Sequence, residues 1–254
     1  MSRTRLTHAQ SCISSFPDNA SVLVVGAHGG IGRALIDRLS VDPRIAHLHA
    51  WSRKPGGSSD DRIIESFVDI TDEATIVNAA ATLERVDLVI VATGFLHADD
   101  GSKPEKSWKD FSSEKFTENF LINTIGPALV AKHVLPIFPR KERAVFAALS
   151  ARVGSISDNR LGGWYSYRGA KAALNQIIKT LSIELARSRP QVVCVGLHPG
   201  TVDTGLSRPF QGNVAPEKLF TPTVAADHLL GVINGLTPAD TGGVFAWDGQ
   251  RIPY

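Results

Sequence analysis

Cysteine is nearly absent from this chain of 254 residues: Cys12 lies in a polar leader and Cys194 in the apolar run VVCVGL. Two positions so unlike give neither a disulfide framework nor a metal cluster, and they fit a reducing, cytoplasmic setting. No charge of one sign dominates. Twenty-seven basic residues face 25 acidic ones, a formal net charge of +2, which speaks against nucleic acid or an anionic membrane as the main partner and leaves small molecules. No apolar stretch reaches the roughly twenty residues that cross a bilayer, and the first twenty lack the apolar middle of a secretory signal. Arg3 and Arg5, with no acid before Asp18, resemble the start of a transit peptide, but residues 1–20 are read as a flexible leader. Eight histidines are dispersed, none at a spacing with cysteine or carboxylate that would hold zinc, so no metal is assigned.

What the chain does have is 43% hydrophobic residues, ample for a sizeable core. No composition break, repeat or low-complexity tract divides it, so residues 21–254 read as one domain. From Ser21 onward, short apolar runs alternate with longer segments of helical period, the mark of βαβ units and a parallel sheet. Strands are expected at SVLVVG, IAHLHAW, RIIESFVD, VDLVIVAT, RAVFAALS, QVVCVGLH and GVFAWD. Helices are expected over Gly30–Ser40, Asp72–Leu83, Ser113–Val134, Trp164–Arg187 and Pro222–Asn234. Two long stretches lack periodicity, 97–110 and 205–221. The second follows a strand end and is expected to act as a lid; its Leu206, Pro209, Phe210 and Val214 suggest an apolar substrate.

The first strand runs into GAHGGIG and then into the helical RALIDRL. Glycine permits a tight turn and a close backbone approach to pyrophosphate, and a helix N-terminus offers unpaired N–H groups to it. Gly26, His28, Gly29, Gly30, Ile31 and Gly32 are therefore candidate dinucleotide contacts. An acid at the end of the second strand would bind ribose hydroxyls and repel a 2′-phosphate. Here Ser52 and Arg53 stand instead, and a guanidinium binds phosphate through paired donors, so NADP is expected over NAD.

The segment GGWYSYRGAK raises the matter of chemistry. Positions four apart share a helix face, which pairs Tyr167 with Lys171 and leaves Tyr165 facing Gly169. A phenol with a pKa of about 10 is a sluggish proton donor, and a nearby ammonium would lower it while its other donors reach the nicotinamide ribose.

The spacing Gly-x-x-x-Gly-x-Gly together with Tyr167-x-x-x-Lys171 makes the chain resemble a short-chain dehydrogenase/reductase from Ser21 to the C-terminus. The resemblance implies a Rossmann-type, doubly wound α/β fold of strand order 3-2-1-4-5-6-7. It implies that Asp69 and Ile70 contact adenine, and that Ala92, Thr93 and Gly94 stand where the family has Asn-Asn-Ala-Gly, with both asparagines lost. Pro199, Gly200, Val202 and Thr204 match the segment that grips the nicotinamide carboxamide. Asn123 matches the asparagine that holds a relay water behind the lysine. The family's substrate hydroxyl falls on Ala151, with Ser150 and Ser155 as candidate replacements. GFLHADDGSKPEKSW, VGSISDN, GGWYSYR and DGQRIPY are similar to the subgroup around the C-factor signalling proteins and the sniffer carbonyl reductases. The expectation is thus an NADP-dependent oxidoreductase, homodimeric or homotetrameric, that interconverts a ketone or aldehyde and an alcohol. Tyr167, Lys171 and Asn123 are its catalytic residues, and the substrate lies above the C-terminal strand ends. The alternative is a dinucleotide-binding signalling protein with vestigial chemistry.

Overall fold

Seven of the apolar runs form one sheet. The computed structural model describes residues 11–98 and 103–254. Strands β1 (Ala20–Val25), β2 (Ile45–Ser52), β3 (Ile63–Phe67), β4 (Leu88–Val91), β5 (Ala144–Leu149), β6 (Val192–His198) and β9 (Val244–Ala246) pair in parallel in the order β3-β2-β1-β4-β5-β6-β9. Two short strands, β7 (Thr201–Val202) and β8 (Leu219–Phe220), pair separately. Apart from its numbering, this is the order the resemblance implies. Strands β1, β4 and β5 are buried at every position. That is why they read as unbroken apolar runs without alternation: helices cover both faces of a parallel sheet.

Helices α1 (Gly30–Ser40) and α6 (Pro222–Gly235) bury Leu35, Leu39, Leu229 and Ile233 on one face. On the other face lie α2 (Glu73–Ala80), α4 (Gly126–Val134) and α5 (Tyr165–Ser188), which bury Ile76, Val130, Val134, Leu174 and Ile178. The expected helix Ser113–Val134 is not uniform. It consists of α3 (Ser113–Phe120), a π turn over Leu121–Ile125, and α4. The continuous helical run Ser113–Ile137 is long and apolar enough to match a membrane span by composition, a feature missed in the sequence; much of that apolarity faces the core through Val130, Ala131 and Val134.

Residues 1–10, including Arg3 and Arg5, lie outside the described residues. The rest of the expected flexible leader is corrected, because it docks. Ser11 Oγ and Cys12 N donate to Asp42 Oδ2 at 2.8 and 2.7 Å, Ile13 and Phe16 enter the core, and the Arg143 guanidinium lies 5.0 Å from the Phe16 ring. Of the stretch 97–110, residues 99–102 lie outside the described residues, and Trp108–Asp110 forms a 3-10 turn boxed by Ser107 and Asp110. The stretch 205–221 is more ordered than its sequence suggests, with 3-10 turns at Arg208–Asn213 and Pro216–Lys218 and β8 closing it back onto β7.

Candidate active site

At the end of β1 the chain turns on Gly26, whose φ of +86° lies in the left-handed region that favours glycine. Gly29 N donates to Gly26 O at 2.9 Å, and α1 starts one residue later. A Cβ on Gly32 would stand inside the van der Waals radius of the Gly26 carbonyl oxygen, so only glycine lets α1 press this close to the turn. The start of α1 has no side-chain cap and no acid in its first turn, and His28, Gly29 and Gly30 are exposed around it. Unpaired N–H groups with positive potential suit a pyrophosphate. The Gly30 Cα region meets Thr204, whose Cγ2 would lie 2.5 Å from a Cβ there, and this contact brings the segment after β6 onto the glycine turn.

Along the C-terminal ends of β2, β3 and β4 stand the other dinucleotide candidates. Ser52 is buried and accepts from Lys54 N at 3.2 Å, while Arg53 is exposed. Asp69 accepts from Thr71 N at 2.9 Å and Thr71 Oγ1 at 2.7 Å. The Thr71 backbone bond leads, with Arg53 contributing, in holding its carboxyl below the usual range. Ile70 is buried against Gly126. Thr93 touches the Gly26 turn, and its buried Oγ1 has no partner among the described residues. Gly200, at φ +78°, packs on Phe220 and Trp247, Pro199 precedes it half-buried, Ile31 is half-buried, and Val202 is buried. A glycine cradle, an open helix start and an orphaned hydroxyl beside it form a donor set that fits a nicotinamide dinucleotide.

Tyr167 and Lys171 occupy one face of the first turns of α5, both buried. Lys171 Nζ lies 5.7 Å from the Tyr167 ring centroid and donates to Leu149 O at 2.7 Å. That bond takes one of the three ammonium donors. The expected acidification of the phenol is corrected for the protein alone. Burial pushes Tyr167 up, and burial also pulls Lys171 down to about 7, so the neighbour's charge is itself disfavoured. Asn123 lies in the π turn, where Gly126 N reaches Leu121 O; such turns recur at functional sites. Its side chain clamps the loop after β4, with Nδ2 donating to Phe95 O at 2.7 Å and Oδ1 accepting from Phe95 N at 3.0 Å. Thr124 Oγ1 donates to Ala170 O at 2.7 Å, tying the π turn to α5 beside Lys171. The sequence carried no sign of the Phe95 and Thr124 contacts.

Both candidate serines have partners inside the protein. Ser150 is buried and donates to Asn175 Oδ1 at 2.6 Å, while buried Ser155 accepts from Asp158 N at 3.1 Å inside its own turn. The residue beside Tyr167 is Ala151, 9% exposed, in an apolar cluster with Leu96, Val153, Trp164, Leu206 and Phe210. Leu206 and Phe210 come from the expected lid, which thus closes over the tyrosine. Trp164, in a left-handed conformation at φ 53°, sets its ring edge-on to Tyr167 and Phe210 at 6.3 and 5.0 Å, and His97 joins the same wall 5.6 Å from Phe210. Tyr165 turns away and packs on Phe111 at 4.8 Å. Among the described residues no group of three histidines, cysteines or carboxylates is placed to hold a metal.

The family model for short chain dehydrogenases matches residues 20–214. The 1-hydroxy-2-glutathionyl-2-methyl-3-butene dehydrogenase of Rhodococcus sp. strain AD45 is 30% identical over 242 residues, 92% of this chain and 100% of that protein. C-signal of Myxococcus xanthus is 34% identical over 146 residues, 57% of this chain and 82% of the relative. Among solved structures, the NADPH-bound carbonyl reductase from chicken fatty liver matches with a TM-score of 0.80 at 25% identity, over 94% of this chain and 100% of that one. The carbonyl reductase Sniffer of D. melanogaster shares the fold, with a TM-score of 0.79 at 22% identity over the same 94% of this chain and 100% of its own.

Proposed function

The chain belongs to the short-chain dehydrogenase family and is an oxidoreductase, and from that premise we propose that it reduces a ketone or aldehyde with NADPH. The observation that carries this reading is the buried Tyr167–Lys171 pair beside a glycine cradle, with an apolar wall and lid above it. A nicotinamide dinucleotide, when bound, supplies hydride to the carbonyl carbon. Gly26 to Gly32 would hold its pyrophosphate, with Thr93 beside them, Asp69 and the Ile70 backbone would take the adenine, and Pro199 to Thr204 would hold the carboxamide. Arg53, exposed at the end of β2, favours the 2′-phosphate of NADP. The chicken carbonyl reductase was solved with NADPH, which agrees.

Tyr167 donates its hydroxyl proton to the substrate oxygen. Its raised pKa keeps the phenol protonated across the neutral range, the form a donor needs. Lys171, already anchored to Leu149 O, keeps further donors that would reach the ribose, and in its charged form it would stabilise the phenolate left behind. Asn123 fixes the loop at Phe95 and supports the relay behind the lysine. The cluster of Leu96, Ala151, Trp164, Leu206 and Phe210 excludes water and takes an apolar carbonyl compound. Free Cys12 and Cys194 suit the cytoplasm. Exposed Ile125 and Ile183, on the outer side of the long helices, support self-association as a homodimer or homotetramer.

Ala151 favours a second reading, a dinucleotide-binding signalling protein with weak chemistry, and the similarity to C-signal gives that reading its class. Tyr167→Phe separates the two. Loss of NADPH-dependent carbonyl reduction and of the cellular phenotype together, with NADPH binding retained, is the expected result, and a phenotype that survives the substitution would favour signalling. Arg53→Glu should shift the kcat/KM ratio toward NADH; an unchanged ratio refutes the role given to Arg53.

A further inference from the structure

Glu105 is a buried carboxylate that the reaction above does not use. It stands in the stretch KPEKSW and is 1% exposed. Its Oε1 has no hydrogen-bond partner among the described residues, while its Oε2 accepts from Ser166 N at 3.3 Å. Its backbone oxygen accepts from Trp164 N at 2.5 Å. These two amides are the entry to α5. That helix begins on Trp164 in a left-handed conformation, with no side-chain cap of its own and no acid in its first turn. A helix start leaves four N–H groups without intrahelical partners, and a carboxylate is favourable there. Here the acceptor comes from 61 residues upstream. Glu105 also lines a cavity of about 20 Å³ together with Asn119 and Ser166. Asn119 Oδ1 in turn accepts from Asn123 Nδ2 at 3.2 Å, so the same small space touches the supports of both Tyr167 and Asn123.

We propose that Glu105 is a positioning residue that caps the helix carrying Tyr167 from outside, holding Tyr167 at the reacting centre and the Trp164 ring against the lid. The inference rests on Tyr167 being the proton donor. Tyr167 is the third residue of α5, within the turn whose amides Glu105 holds, so a loosened start moves the phenol directly. The glycine turn is built on β1 and α1, and Lys171 stands a full turn beyond Tyr167 on α5, away from the amides Glu105 holds.

The test compares Glu105→Ala and Glu105→Gln with the wild type at saturating NADPH, following carbonyl reduction, NADPH affinity and amide hydrogen exchange at Ser166 and Tyr167. Displacement of a reacting group by an ångström costs on the order of 100-fold, so Glu105→Ala should lose about 10- to 100-fold in kcat with NADPH affinity unchanged and faster exchange at those amides. Glu105→Gln keeps an acceptor oxygen and should restore both. If the alanine variant does not fold, Glu105→Asp, which draws the carboxylate back by one methylene, takes its place. Wild-type kcat in the alanine or aspartate variant overturns the proposal, as does unchanged exchange, or a loss that glutamine fails to rescue. A wild type without turnover counts against carbonyl reduction, while the exchange comparison still decides whether Glu105 holds the helix.

Discussion

Replacing Ala151 by serine should make this protein a faster and less stable reductase at once. In the reading proposed above Tyr167 is the substrate oxygen's donor, with Ser150 Oγ giving its hydrogen to Asn175 and Ser155 Oγ held by Asp158 N in its own turn. Ala151 lies in the apolar cluster with Tyr167, and its backbone, at φ −151° and ψ 148°, accepts serine without strain. A preorganised oxyanion donor is worth about 3–4 kcal/mol. One added without a matched supporting shell realises a fraction of that, about 1–2 kcal/mol, or roughly 5- to 30-fold in kcat. The new hydroxyl faces Leu96, Val153, Leu206 and Phe210 and has no partner until substrate arrives, which costs about 1–3 kcal/mol of stability. Steady-state NADPH oxidation with a simple ketone and a thermal melt on the same preparation measure both effects. A lowered melting temperature with kcat at or below wild type would show that the oxygen does not lie beside residue 151, and the account of the missing donor would fall.

Ser150→Ala should cost stability alone. It strands Asn175 Oδ1 in the core and costs about 1–3 kcal/mol in denaturant unfolding, with kcat per folded molecule unchanged; a fall in kcat would return Ser150 to the catalytic set. Lys171 should leave a signature in stability against pH. Its folded pKa of about 7 lies below the ordinary 10.5, so between these values the unfolded chain binds the extra proton and stability rises with pH. Lys171→Met should flatten that slope in melts taken across the same window, and an unaltered slope would mean the lysine is not buried as described. Gly32→Ala drives a methyl into the Gly26 carbonyl and should cost about 1–3 kcal/mol and abolish NADPH binding, read by fluorescence titration; retained affinity would mean that the turn does not cradle the dinucleotide.

Much of the fold was legible because parallel strands sandwiched between helices leave a plain signature. VLVV, LVIV and AVFAAL are apolar at every position because both their faces are covered, and the intervening helical period told which segments cross over. The Tyr167–Lys171 pair and the glycine turn were legible for the same local reason, since four-residue spacing and glycine clusters act over a single turn. What could not be read depends on partners far away in the chain. Ile13 and Phe16 sit in a polar leader, and only the core beneath them shows that they dock. The choice between Ser150 and Ser155 needed the position of Asn175, and the direction of the Tyr167 shift needed its burial. Glu105 gave no signal beyond an acid in a loop, because its partner amides belong to a helix that starts sixty residues later.

The π turn at Leu121–Ile125 constrains what lengths this chain tolerates. Such a turn carries one residue more than the helix around it, and each residue of an α-helix rotates the rod by about 100°. Because the wide turn takes up that extra residue, α3 and α4 keep nearly the phase of one unbroken α-helix, and removing a single residue there would restore plain winding with little roll. The stripe α3 presents to α5 and the stripe α4 presents to the sheet would still both face inward, whereas a residue removed from α3 or α4 itself would turn one of them away. In a set of related sequences, one-residue gaps should therefore be found in the lid and between positions 121 and 125, and almost never inside α3 or α4.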